Sequence, residues 1–168
     1  GLVLAADSAA SVEGAAVSGA AQGPTGVLKV FSTATKVMQI QELPVGVLTW
    51  GAASIGQRTI ASLVDEFENT EAIRGLKRET LDVKHVADSL WAFLTNRSDE
   101  VHSAIPTEGR PRSGVLVCGY PKSEFFPEDY VMVAPTEKPI RARPPVDGKQ
   151  SFGANWYGAT DAITRLHH

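Results

Sequence analysis

The sequence has little of several things, and each shortage removes a class of function. It holds one cysteine, Cys118, so it has no internal disulfide. That cysteine lies in the apolar run "GVLVCGY" with no His or basic residue beside it to activate the thiol, which reads as a buried structural Cys. There are four histidines, His85, His102, His167 and His168, and none forms an HxxxH or a Cys/His cluster, so a zinc site is not expected. No apolar run approaches the ~20 residues that a membrane helix needs. Net charge is only −3 and is spread along the chain, without the basic face of a nucleic-acid binder. Composition predicts a protein of the reducing cytoplasm, with no cofactor and no nucleic-acid or membrane partner.

What is present is ordinary for a globular domain: 168 residues, 43% hydrophobic and 21% charged, enough for one domain with its own core. "GLVLAADS" at residues 1–8 is short, apolar and rich in β-formers, and predicts a buried strand ending in Asp7. Residues 9–26, rich in Ala, Gly and Ser, predict a loop. "VLKVFS" (27–32), "KVMQI" (36–40) and "VGVLTW" (45–50) predict strands.

A helix is predicted from Ser54, as N-cap, to Asn69, with Ile60, Leu63, Val64 and Phe67 on one face. A second is predicted from Asp82, with Val83, Val86, Ala87, Leu90, Phe93 and Leu94 inward, fraying near "NRSDEVHS". Strands return at "SGVLVCGY", which reads as central, then "DYVMVAP" and "KPIRAR". "RPPVDGKQ" is a turn, "SFGANWYG" a further strand, and "TDAITRLHH" the start of a helix. Strands and helices come in blocks rather than in βαβ alternation. That order predicts an α+β fold with mostly antiparallel sheet and helices packed outside it.

Two local motifs fail on inspection. "GAASIGQRT" (51–59) approaches a phosphate-binding loop, but Gln57 stands where Lys is required and Arg58 where a Ser or Thr should hold magnesium. The same stretch lacks the Gly two residues before Ser54 that a nucleophile elbow needs, since Ala52 is there.

The ordered set "GLVLAADS", "KVMQI", "GVLTWGAASIGQRTIASLVDEF" and "SGVLVCGY" resembles the proteasome β-subunit family, over most of the chain. The resemblance implies a single domain, residues 1–168, with a four-layer αββα sandwich. It also implies that the family's first strand precedes Gly1 and that helices and strands follow His168. The implied activity is threonine-type peptide hydrolysis by an N-terminal nucleophile, with the Thr roughly ten residues ahead of Gly1.

In that scheme Lys36 is the catalytic Lys, Asp7 orients it, and the backbone N–H of Gly51 is the oxyanion donor. Ser11 and Ala53 are implied substrate-binding positions, Ser11 opening an edge where an extended peptide adds as a strand. Ala159 stands where the family carries a supporting Ser, and the adjacent Thr160 is the implied supporting residue. Peptide or unfolded-protein substrates and a homo-oligomeric ring are the implied partners. The chain departs from the family in its long Asp7-to-Lys36 segment and in the bulky Trp50 beside Gly51. A non-catalytic assembly subunit and a small-amide hydrolase of the same superfamily remain open as alternatives.

Overall fold

In a computed structural model the protein is described at residues 1–8, 10–13, 27–31, 34–122 and 124–158; for 10–13 and 27–31 the backbone alone is described. The centre is a five-stranded sheet: β3 (Val37–Gln39), β4 (Val45–Gly51), β7 (Ser113–Gly119), β8 (Glu128–Ala134) and β9 (Glu137–Arg141), in the order β3-β4-β7-β8-β9. Every neighbouring pair in it is antiparallel. β7 is the middle strand and is buried along its whole length, which is why "SGVLVCG" carries no charge.

Alternation along the strands divides the sheet into two faces. Val45, Val47, Val115, Val117, Tyr130 and Met132 point to one face and join the main core. Two helices cover that face: α1 (Ile60–Glu68) and α2 (Val83–Val101). Ile60, Leu63, Val64 and Phe67 of α1 are buried, as are Val83, Val86, Ala87, Leu90 and Leu94 of α2. Phe93 is only partly buried and meets Phe67 with ring centroids 5.7 Å apart, joining the helices. Fully burying such a side chain is worth about 1.5–3 kcal/mol, so these helical stripes dominate the stability of the layer.

Four sequence expectations need correction. Residues 1–8 form no strand. Apolar content favours burial, but a strand also needs a ladder partner, and among the described residues the one backbone bond of this segment is Ala34 N–H to Ser8 O at 2.8 Å. Within the expected loop, Ala10–Glu13 is a strand, β1, paired antiparallel with β2 (Val27–Phe31). "SFGANWYG" forms no strand among residues 151–158. The start of α1 also moves, from Ser54 to Ile60.

That last shift has a local cause. Ser54–Ile55 (β5) and Arg58–Thr59 (β6) pair as a two-residue hairpin. Gly56, at φ +59°, takes the first turn position, which favours glycine. Thr59 is then the N-cap, its Oγ1 accepting from Ser62 N–H at 3.1 Å. The backbone of "GAASIGQRT" is thus spent on a hairpin and is not a phosphate cradle. At its far end α2 stops at Val101, within the "NRSDEVHS" stretch that the sequence predicts for its end, and there Arg97 pairs with both Glu66 and Glu100. "TDAITRLHH" lies outside the described residues but for its surroundings up to Gly158.

Among the described residues no helix is long and apolar enough to cross a membrane.

Candidate functional site

Asp7 and Lys36 come together. Lys36 Nζ donates to Asp7 Oδ1 at 2.6 Å, across 29 residues of sequence. The Ser8–Ala34 backbone bond lays the end of the first segment along the lead-in to β3 and brings the two side chains side by side. Lys36 is largely covered, at 21% side-chain exposure, while Asp7 is open at 71%. An ion pair this open to water contributes at most about 1 kcal/mol to stability. Its geometry is therefore of more interest than its energy.

Gly51 lies two residues beyond the point where β3 and β4 part. Thr49 N–H donates to Lys36 O and Ala52 N–H to Arg112 O, both at 2.9 Å. In an antiparallel ladder N–H groups alternate sides, so odd-numbered residues of β4 face β3 and even-numbered ones face β7. Gly51 N–H consequently leaves β4 on the Lys36 side. Its ladder position opposite would be Ala34, whose own N–H is turned to Ser8 O. Among the described residues no acceptor is bonded to Gly51 N–H.

Glycine is required at this point on two counts. Its φ is +78°, and a Cβ there would come 2.8 Å from Arg112 O. The turn is closed from the other side by Ser113 Oγ, which donates to Ala52 O at 2.9 Å. Ala53 is exposed, and its carbonyl accepts from Ile60 N–H at 2.9 Å. Ser11 lies on β1, opposite Val30 of β2. Thr160 lies outside the described residues.

Sequence reasoning missed a second set of residues here. The indole of Trp50 lies flat across Gly114, its partner on β7; a Cβ on Gly114 would fall 2.1 Å from Trp50 Cε2. Tyr157 stacks on that indole, centroids 4.6 Å apart and planes 17° from parallel. Gly158, at φ +87°, sits against Trp50 Cβ. A Gly in a β-rich run and a Tyr near Gly carry no signal until the register pairs them.

The stretch leading to Tyr157 is held on the same sheet face. Asp129, buried on β8, accepts from Arg143 Nε at 2.8 Å and from Arg143 N–H at 3.2 Å, and Arg143 also reaches Gly153 O. Opposite Asp129 is Cys118, whose thiol burial pushes up to about 12. It is a neutral packing group, without nucleophilic character. Tyr157 is also raised, chiefly by burial. Among the described residues no three His, Cys, Asp or Glu side chains gather as a metal site.

The arrangement offers a cation held by a carboxylate, a backbone donor two ladder steps from it with no acceptor among the described residues, and a Trp50 side chain next to that donor. The chain matches no protein-family model, no curated protein and no solved structure.

Proposed function

We propose that this chain is the body of a proteasome-like threonine-type peptidase subunit, whose N-terminal Thr lies upstream of Gly1. The observation that carries the reading is the Asp7–Lys36 pair, two ladder steps from Gly51, whose N–H has no acceptor among the described residues. These are three groups the chemistry needs, drawn from three separate stretches of sequence.

The hydroxyl of an N-terminal Thr is a weak nucleophile. Its own α-amino group, with an ordinary pKa of about 7.7–8.0, takes the hydroxyl proton as oxygen attacks the peptide carbonyl carbon. Lys36 supplies positive charge beside that hydroxyl, and Asp7 fixes where the ammonium points. Negative charge gathers on the carbonyl oxygen and is met by Gly51 N–H. The C–N bond then breaks, the amine leaving with the proton, and water hydrolyses the ester by the reverse path. Ser11 and Ala53 flank the route of an extended substrate.

The sheet face away from the helices supports a four-layer αββα sandwich in the complete domain: Leu48, Trp50, Val131 and Val133 on it are only half-buried. Assembly into a homo-oligomeric ring is supported by exposed apolar side chains, among them Phe125 at 91% and Phe152 at 77%.

The test is mass spectrometry of the full-length protein after incubation with an epoxyketone probe. The expected result is one adduct on an N-terminal Thr, lost in Lys36→Ala. An unmodified N-terminus sinks the peptidase reading, and an undiminished adduct in Lys36→Ala removes Lys36 from it.

A further inference from the structure

Exposed apolar side chains are not spread evenly along this chain. Six of the ten large ones among the described residues, Phe125, Phe126, Ile140, Val146, Phe152 and Trp156, fall between residues 125 and 156. Scattered singly they would mean little, but several are tied together. Phe126 meets Phe152 edge-on, ring centroids 5.8 Å apart, and Gln150 Nε2 donates to Pro127 O at 3.2 Å. Both contacts join the loop after β7 to the run 150–156. Two residues on from Phe152, that run becomes the wall of a groove of about 390 Å³, lined mainly by Val131, Ile140, Ala142, Ala154, Trp156 and Tyr157. Phe125, 91% exposed, stands beside Phe126 on the loop. The patch thus presents a free phenyl ring and, next to it, a groove with room for one, since about 150 Å³ of apolar cavity accepts benzene.

A knob and a hole on adjoining parts of one surface make it self-complementary, as a two-fold contact requires. Charge agrees. Residues 121–158 carry five basic and five acidic side chains, against a net −3 for the whole chain. Arg141 pairs with Glu128 and Arg143 with Asp129 inside the patch. Two copies meeting here therefore bring no like-charge repulsion. The backbone works against the other common mode of association. Ala142 N–H donates to Asp129 O and Ile140 lies opposite Val131, so the even-numbered residues at this end of β9 bond inward to β8. Pro139 then faces outward without an N–H, which blunts the free edge of β9 against strand addition.

From this we infer that residues 125–156 form a two-fold contact between two copies of this chain, Phe125 of each copy entering the groove beside Ile140 and Trp156 of the other. The contact stands apart from the peptidase reading. It also goes beyond a ring, which needs head-to-tail surfaces, whereas this surface closes on itself after two copies.

The experiment is sedimentation of the full-length protein, wild type against Phe125→Asp and Trp156→Asp. Both substitutions change exposed side chains, and circular dichroism and Tm check that the variants fold. Each variant is expected to have half the particle mass of the wild type. A wild-type mass equal to that of both folded variants overturns the contact. A second measurement places it: photoreactive benzoylphenylalanine at position 125 keeps the aromatic knob and marks what it touches. Irradiation is expected to join two chains, with the adduct mapped by mass spectrometry to residues 140–142 or 154–157 of the other copy. An adduct confined to its own chain, or lying outside the groove, overturns the knob-in-groove geometry.

Discussion

Lys36 and Asp7 form a 2.6 Å ion pair although one is mostly covered and the other mostly open. That asymmetry makes Asp7 the replaceable partner for folding. Asp7→Asn should change the free energy of unfolding by less than about 1 kcal/mol. In the full-length protein it should nevertheless lower kcat, because the ammonium loses its fixed direction. Chemical denaturation and peptide turnover on the same preparation separate the two effects.

The position of the first helix cap can be tested with two hydroxyls five residues apart. Thr59→Ala removes the Oγ1 that accepts from Ser62 N–H and should cost about 1 kcal/mol. Ser54→Ala removes an exposed hydroxyl from a hairpin strand and should stay within about 0.5 kcal/mol. Urea midpoints of the two variants measure this directly; equal losses would contradict a helix that begins at Ile60.

Ser98 is 2% exposed and its Oγ has no hydrogen-bond partner among the described residues. An unpaired buried hydroxyl works against folding. Ser98→Ala should therefore leave Tm unchanged or raise it, by up to about 1 kcal/mol in stability. A clear fall in Tm would reveal a partner for that hydroxyl.

Two buried acids make stability depend on pH in the alkaline range. Cys118 is raised from 9.0 to about 12, mainly by burial, and Tyr130 from 10.0 to about 12, by burial and then by Glu128. For both, the folded state favours the protonated form. The stability they contribute is complete below the unfolded values and is lost as pH climbs from about 9 through 12. Tm should fall across that window, and Cys118→Ala should flatten its lower part, from about pH 9 to 10, where the thiol alone titrates in the unfolded chain. Calorimetric scans at stepped pH would show it.

Much of this architecture is legible in residue order, because it depends on periodicity. The inward stripe Ile60, Leu63, Val64 and Phe67 holds at a helical spacing wherever the helix begins. The apolar run of Ser113–Gly119, short and bounded by turn residues, reads as a strand covered on both faces, and it is the middle one. Turn chemistry was equally plain at "VDGKQ", where Asp147 and Gly148 take positive φ and Val146 bridges Lys149. These features are set by neighbours within a few residues, so local composition decides them.

Other features needed the fold. Residues 1–8 have the composition of a strand, yet what makes a strand is a partner at hydrogen-bonding distance, which no local pattern specifies. Ser54 and Thr59 are both good caps; Gly56 turning a hairpin between them selected Thr59. The meeting of Asp7 with Lys36 is a contact across 29 residues, expected from family likeness and given its distance only by the packed chain. Trp50, Gly114 and Tyr157 lie 64 and 43 residues apart in turn, and register alone stacks them. Sequence by itself determined which segments would be apolar on one side and where the chain would turn. Tertiary structure decided which of those sides face each other, because contact depends on the path of the whole backbone rather than on the identity of any one stretch.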